Sequence, residues 1–145
     1  MCDHQQCIHL TYNVSGDDFT TAGEASSNFK KKLMDLGVDR KTIRRVSISM
    51  YEGEINMVIH ANGGVIDAYI CTDHIDLILK DQGPGIPDID KAMQVGYSTA
   101  PAQVQALGFG AGMGLPNIKN NTDDLSIETE LGVGTTLRMR INLED

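Results

Sequence analysis

The sequence predicts an α+β fold: a two-layer sandwich in which a mixed sheet carries helices on one face. Three observations carry this expectation. Several stretches alternate apolar and polar residues with the period of a strand. Two longer stretches between residues 17 and 61 place apolar residues three and four apart, the period of a helix. The elements then follow as β, α, α, β, β, loop, short α, β, β, an order that suits helices packed on one side of a sheet.

The elements can be justified in turn. Residues 8–14 (IHLTYNV) alternate through Ile8, Leu10 and Tyr12, the pattern of an edge strand. From about Asp17 to Leu36, residues Phe19, Ala22, Ala25, Phe29, Leu33 and Leu36 form the apolar stripe of an amphipathic helix, with Gly37 as its C-cap. Asp39 is the expected N-cap of a second helix, which runs through Ile43, Val46, Met50 and Ile55 to about Ala61, where Asn62-Gly63-Gly64 ends it. Val65–Thr72 and His74–Lys80 read as two strands of a hairpin turning at Asp73. After a short helical signal (DIDKAMQ), the segment up to Leu107 has no clear period, which marks a functional loop or lid. Leu115–Asn121 reads as a short helix, and Asp124–Glu130 and Thr135–Leu143 as strands joined at Gly132-Val133-Gly134.

Composition narrows the function classes. A chain of 145 residues without repeats or composition breaks is read as one domain spanning residues 1–145. No apolar run approaches the roughly 20 residues of a membrane span, and MCDHQQCIHL lacks the pattern of a secretory leader. The net charge of −8 disfavours nucleic acid, whose phosphates call for a basic surface, and favours a protein partner or small ligand. Cys2, Cys7 and Cys71 are an odd number without framework spacing, so they are read as unligated thiols in a reducing cytoplasm. Cys2, His4 and Cys7 imitate half a metal site, but no second pair follows.

Three stretches carry the chemistry. Residues 108–117 read GFGAGMGLPN, in which Gly108, Gly110, Gly112 and Gly114 alternate with larger residues. Their register fits neither GxGxxG nor a P-loop, and Phe109, Met113 and Leu115 are too apolar for a linker. In YEGEINMVIHA, Glu52, Asn56 and His60 stack at four-residue steps on one helix face, with Glu54 pointing nearly the opposite way. Their neighbours Ile55, Met57, Val58, Ile59 and Ala61 are apolar, so the polar stripe is expected to face a cavity or ligand. In DQGPGI, Asp81 ends a strand; its carboxylate can accept from an exocyclic amine such as that of adenine, while Gly83 and Gly85 admit a flat base.

Taken in order, Glu52-Asn56-His60, Asp81-x-Gly83-x-Gly85-Ile86, Gly108-x-Gly110-x-Gly112-x-Gly114-Leu115 and Gly132-x-Gly134-Thr135-Thr136 resemble the Bergerat (GHKL) ATP-binding fold over about residues 40–141. That fold is shared by gyrase, a heat-shock chaperone, histidine kinases and mismatch-repair ATPases. The wording DQGPGIPDID, GYSTA and GFGAGMGLPN is most similar to the bacterial anti-sigma-factor serine/threonine kinases, in particular the stressosome switch-kinase branch.

This resemblance implies ATP and Mg²⁺ as cofactors, with Asn56 holding the metal and Glu52 as catalytic base or orienting carboxylate. It implies that His60 lies near the phosphates, that Asp81, Gly83, Gly85 and Ile86 receive the base, and that Thr135 supports Asp81. It further implies that Gly108, Gly110, Ala111, Gly112, Met113, Gly114 and Leu115 wrap the phosphates at the end of a lid over about residues 87–114. Lys119, Arg138 and Arg140 are cationic candidates only by their place in sequence. The implied activity is phosphorylation of a regulatory protein of the anti-sigma-factor-antagonist type, in the cytoplasm, with a sigma factor or phosphatase as further partners and a homodimer through the first strand and helix. The alternative is a nucleotide-gated binding module that sequesters a sigma factor or activates a phosphatase with little kinase activity.

Overall fold

Leu10, Tyr12 and Val14 point one way from the first strand and pack on the core, while Thr11, Asn13 and Ser15 are exposed. The same alternation runs through the other strands, and it fixes which side of the sheet the helices cover. The computed structural model describes residues 6–16, 20–61, 63–86, 93 and 114–143. Among these, the strands are β1 (Ile8–Ser15), β2 (Gly63–Ile70), β3 (His74–Asp81), β4 (Asp124–Glu130) and β5 (Gly134–Asn142), and the helices α1 (Glu24–Asp35), α2 (Arg40–His60) and α3 (Gly114–Asn121).

The strands form one sheet in the order β1-β2-β3-β5-β4, with β1 and β4 at its edges. Each pairing is antiparallel rather than mixed. The reason is a matter of parity. One helix between two neighbouring strands returns the chain parallel, whereas the pair α1 and α2 reverses it once more, so β2 runs opposite to β1. The two-layer α+β sandwich expected from sequence is otherwise the observed fold.

α2 packs across the sheet, and α1 and α3 flank it. Phe29 and Leu33 of α1, Val46 and Met50 of α2, Ile118 of α3, and Ile66, Ile75, Leu77, Met139 and Ile141 of the sheet are fully buried between the layers or nearly so. Gly53 lets α2 lie close to the sheet, because a Cβ there would overlap the Leu79 side chain on β3. No helix of the described residues is long and apolar enough to cross a membrane.

The helix ends follow from local chemistry. Asp39 caps α2 as expected, accepting hydrogen bonds from the Thr42 N–H (3.0 Å) and hydroxyl (2.6 Å). Gly37, at φ 77°, closes α1: the Val38 N–H reaches back to the Leu33 carbonyl at 3.1 Å. The start of α1 lies later than the apolar stripe suggested, at Glu24 rather than about Asp17. Its N-cap residue Gly23 has no side chain to cap with, and the donors of the first turn go instead to Glu54 of α2. The buried Glu54 carboxylate accepts from the N–H groups of Gly23 (3.0 Å), Ala25 (3.2 Å) and Ser26 (2.9 Å) and from the Ser26 hydroxyl (2.6 Å).

Cys7 and Cys71 form a disulfide, which corrects the expectation of unligated thiols. Ile8 pairs with Ile70, so the antiparallel register of β1 and β2 brings the next residue on each side, Cys7 and Cys71, face to face with their Cα atoms 4.4 Å apart. Spacing along the chain carries no sign of this contact, because it is created by strand pairing across 64 residues.

Candidate functional site

The site is assembled on the helix-covered side, where the C-terminal half of α2 meets the end of β3 and the start of α3. Asp81 is the last residue of β3, and its Oδ1 accepts from the N–H of Gly83 (2.9 Å) and the N–H of Thr135 on β5 (3.0 Å). Its other oxygen accepts no hydrogen bond among the described residues. The turn after Asp81 lies against the β4–β5 hairpin: the Gly132 N–H donates to the Pro84 carbonyl at 2.9 Å, and Gly85, at φ 83°, comes so close that a Cβ would sit 2.8 Å from the Glu130 carbonyl. On its other side the turn touches α2, where a Cβ on Gly83 would be 2.7 Å from Ala61.

Asn56 and Glu52 follow along α2, one and two turns back from that contact, both half-buried. The start of α3 meets Asn56, since a Cβ on Gly114 would lie 3.1 Å from its Nδ2. Asn117, one turn further, donates from Nδ2 to Glu52 Oε1 at 3.3 Å. Among the described residues the Asn56 carboxamide makes no hydrogen bond. An uncommitted oxygen donor beside bare backbone suits a hard, oxygen-seeking cation such as Mg²⁺. No cluster of three or more His, Cys, Asp or Glu able to hold a metal is present among the described residues. Burial, and then the charges of Glu52 and Glu54, push the Tyr51 phenol up.

Of the expected site residues, Glu52, Asn56, Asp81, Gly83, Gly85, Gly114 and Thr135 are therefore brought into one connected arrangement. Ile86 joins it through its backbone N–H, which donates to Thr129, while the side chains of Ile86 and Leu115 pack on the core. His60 is the last residue of α2; its side chain, together with Gly108, Gly110, Ala111, Gly112 and Met113, lies outside the described residues. The cationic candidates do not join the arrangement. Arg138 and Arg140 alternate with the buried Leu137, Met139 and Ile141, so they lie on the opposite face of the sheet. There Arg140 donates to both Asp76 oxygens (2.8 and 2.9 Å) and Arg138 reaches Glu128 at 3.4 Å. Lys119 is exposed on α3.

Two residues were missed by the sequence reading. Asn117 stood in the quoted glycine stretch, three residues past Gly114, and that helical spacing was the available signal. Thr129 bonds the Ile86 N–H at 2.8 Å. Its signal was a polar residue at the inward position of β4, in step with Leu125 and Ile127.

Comparison with known proteins agrees with this architecture. Residues 18–141 match the family described as histidine kinase-like ATPase domain. The chain is 30% identical to the serine/threonine-protein kinase RsbT of Bacillus subtilis, covering 92% of this chain and 93% of that protein. It is 29% identical to the anti-sigma F factor of Geobacillus kaustophilus, covering 92% and 90%. A chain of the SiaB–SiaC complex of Pseudomonas aeruginosa shares the fold, with a TM-score of 0.63 at 15% identity over 94% of this chain and 90% of that one. The protein belongs to the histidine kinase-like ATPase domain family.

Proposed function

We propose that this chain is an ATP-dependent serine/threonine protein kinase that phosphorylates a small regulatory protein, of the anti-sigma-factor-antagonist type, in a partner-switching pathway. One observation carries the reading: the Asp81 turn, with an uncommitted carboxylate oxygen, abuts Ala61 at the end of the same helix that presents Asn56 and Glu52. Five and nine residues at 1.5 Å each place these side chains about 8 and 14 Å along the helix, a span comparable with an extended nucleoside triphosphate. The similarity to a named serine/threonine kinase over nearly the whole chain supports the same reading.

In this proposal Asp81 accepts from the adenine amino group, and Gly83 and Gly85 let the base lie against backbone. Thr135 and Ile86 hold Asp81 and the turn in place. Asn56 holds Mg²⁺, which supplies charge neutralisation at the phosphate oxygens. Glu52, oriented by Asn117, takes the proton from the acceptor hydroxyl as its oxygen bonds to the terminal phosphorus and the bond from that phosphorus to the bridging oxygen breaks, releasing ADP. His60 and the backbone of Gly108, Gly110, Ala111, Gly112, Met113, Gly114 and Leu115 cradle the phosphates, and residues of about 87–114 close as a lid. The whole chain acts as a single domain. A cytoplasmic location suits ATP as phosphoryl donor, and exchange with cellular thiols then sets whether the Cys7–Cys71 bridge is closed.

The test is transfer of label from γ-labelled ATP to candidate partner proteins. Glu52→Ala is expected to abolish transfer while ATP still binds within about threefold, since general-base assistance typically contributes 10²–10⁴ in rate. Tight ATP binding without transfer to any candidate would count against the kinase reading. The similarity to an anti-sigma factor favours a second reading, a nucleotide-gated module that captures a sigma factor or activates a phosphatase. Stoichiometric complex formation that strengthens with nucleotide, in the absence of transfer, selects it. Because the outer edge of β1 has no neighbouring strand among the described residues, a homodimer through β1 and α1 belongs to the proposal. Light scattering of the purified chain decides it.

A further inference from the structure

We propose that the corner where α1 meets α2 is a docking surface for an acidic, amphipathic segment of a partner protein, which sets carboxylates beside Lys30, Arg40 and Arg44 and apolar side chains on Met34 and Leu36. The inference is independent of the nucleotide reading above.

Charge is spread unevenly along the chain. Residues 30–45 hold seven of its 12 lysines and arginines but only two carboxylates, Asp35 and Asp39. This stretch is therefore net +5 and the rest of the chain net −13, so the end of α1 and the start of α2 form a positive pole on an acidic molecule. The fold keeps that pole outside. Phe29 and Leu33 of α1 and Ile43 and Val46 of α2 are buried, while Lys30, Lys31, Lys32, Arg40 and Arg44 are exposed. None of these five makes an ion pair among the described residues, whereas the next cation along α2, Arg45, reaches Asp123 at 3.1 Å.

Folding alone gives no reason for this placement. Cations at a helix N-terminus oppose the macrodipole, and like charges four apart on a helix repel. α2 nevertheless opens with Arg40 and Lys41, repeats the pair four residues on as Arg44 and Arg45, and has no acidic residue in its first turn. Charges that weaken the element carrying them are the kind of local conflict that a binding surface retains. Beside them Met34 is 60% and Leu36 53% exposed, which adds an apolar contact to the cationic one. The Val38 N–H bond to the Leu33 carbonyl and the Asp39 cap hold the corner in one shape, so docking requires little further ordering of it.

The chemistry of the occupant follows from its extent. A bilayer or a long nucleic-acid duplex reaches past the corner and meets the negative remainder of the molecule, beyond the about 8 Å over which salt screens one charge from the next. A short protein segment touches the corner alone. Met34 and Leu36 select further, because a phosphodiester backbone has nothing apolar to cover them.

The probe is a fluorescein-labelled helical peptide of repeated Leu-Glu-Glu-Leu-Glu-Glu-Ala, titrated into the whole chain by anisotropy, with phosphatidylserine vesicles and a DNA duplex as rivals and thermal melting as the check on folding. Wild type is expected to bind the peptide at low salt and to weaken about tenfold or more as salt rises from roughly 0.05 to 0.3 M. The double variant Arg40→Glu/Arg44→Glu is expected to bind about tenfold or more weakly yet to melt at a higher temperature than wild type, since the same change suits the helix dipole. Leu36→Ser is expected to weaken binding several-fold and to melt close to wild type, and Lys119→Glu, exposed on α3, to bind as wild type does. No binding of the peptide by wild type overturns the proposal. So does equal binding by the double variant, an equal loss in Lys119→Glu, or tighter binding of vesicles or duplex than of peptide. A double variant that melts below wild type shows that the cations serve the fold, and overturns it as well.

Discussion

At the scale of single residues, two carboxylates only two apart in number but opposite in fate share α2 with the site. Glu52 is half-buried with one amide donor, whereas two residues on, Glu54 is only 2% exposed and takes four hydrogen bonds from the first turn of α1. Hydrogen bonds to a charged acceptor are each worth about 1.5–3 kcal/mol, and losing the acceptor leaves buried donors unpaired. Glu54→Ala is therefore expected to destabilise the chain by about 3–4 kcal/mol in urea unfolding, which is a large part of the stability of an ordinary domain. Glu52→Ala removes one weak contact, and is expected to cost under about 1 kcal/mol while ending phosphoryl transfer. The pair separates a structural carboxylate from the proposed catalytic one by two different measurements.

At the scale of elements, the distance of α2 from the sheet sets how Asn56 lies relative to Asp81, and so, in the proposed function, whether the two serve one ligand. Gly53 sets that distance. Gly53→Ala gains up to about 1 kcal/mol of helix propensity but drives a methyl group into Leu79, with Met139 also within 3.3 Å. Overpacking of this kind costs about 1–3 kcal/mol, so the net expectation is a loss of stability of about 1 kcal/mol. ATP affinity is expected to fall several-fold as α2 lifts from β3, measured by calorimetry on the folded variant. The sequence made most elements legible because their signals are local: Asp39 and Gly37 act through residues next to them, and alternation in β4 and β5 follows from burial on one face. It misplaced the start of α1 because the cap, Glu54, comes from another helix. The Glu52, Asn56 and Asp81 constellation was legible through spacing and motif. Asn117 and Thr129 were not, since each matters through a partner far away in the chain.

At the scale of the whole molecule, stability is tied to pH through two aspartates that hold the N-terminal part of α2, Asp39 as its cap and Asp123 through Arg45. Hydrogen bonds from the Thr42 hydroxyl and N–H hold the Asp39 carboxyl below its usual range, and the Asn142 N–H followed by Arg45 does the same for Asp123. A folded-state value below the unfolded one gives stability that is fully present above the unfolded value, near 4, and is lost as pH falls through the folded value. Unfolding free energy is thus expected to hold steady in this respect from pH 7 to about 5 and to decline below about pH 4. Asp39→Asn, which keeps a capping oxygen, is expected to flatten that decline in urea titrations at a series of pH values. The Cys7–Cys71 bridge acts on the same balance through the unfolded chain, where closing so long a loop is worth up to about 4 kcal/mol in the chain-entropy model. Reduction is accordingly expected to lower the melting temperature by roughly 5–15 °C.

That bridge also divides the molecule in a way the sheet does not. Residues 7–71 become a covalent ring holding β1, α1, α2 and β2, with Glu52 and Asn56 inside it and Asp81 and Thr135 on the open tail. A backbone cut at any one bond within the ring leaves a single molecule of nearly unchanged mass. Such a nicked chain keeps its full size in a gel run without reductant and separates into two fragments once reductant is added. The proposed metal-holding half of the site is thus carried on a closed circle of chain, and the base-holding half on a linear one.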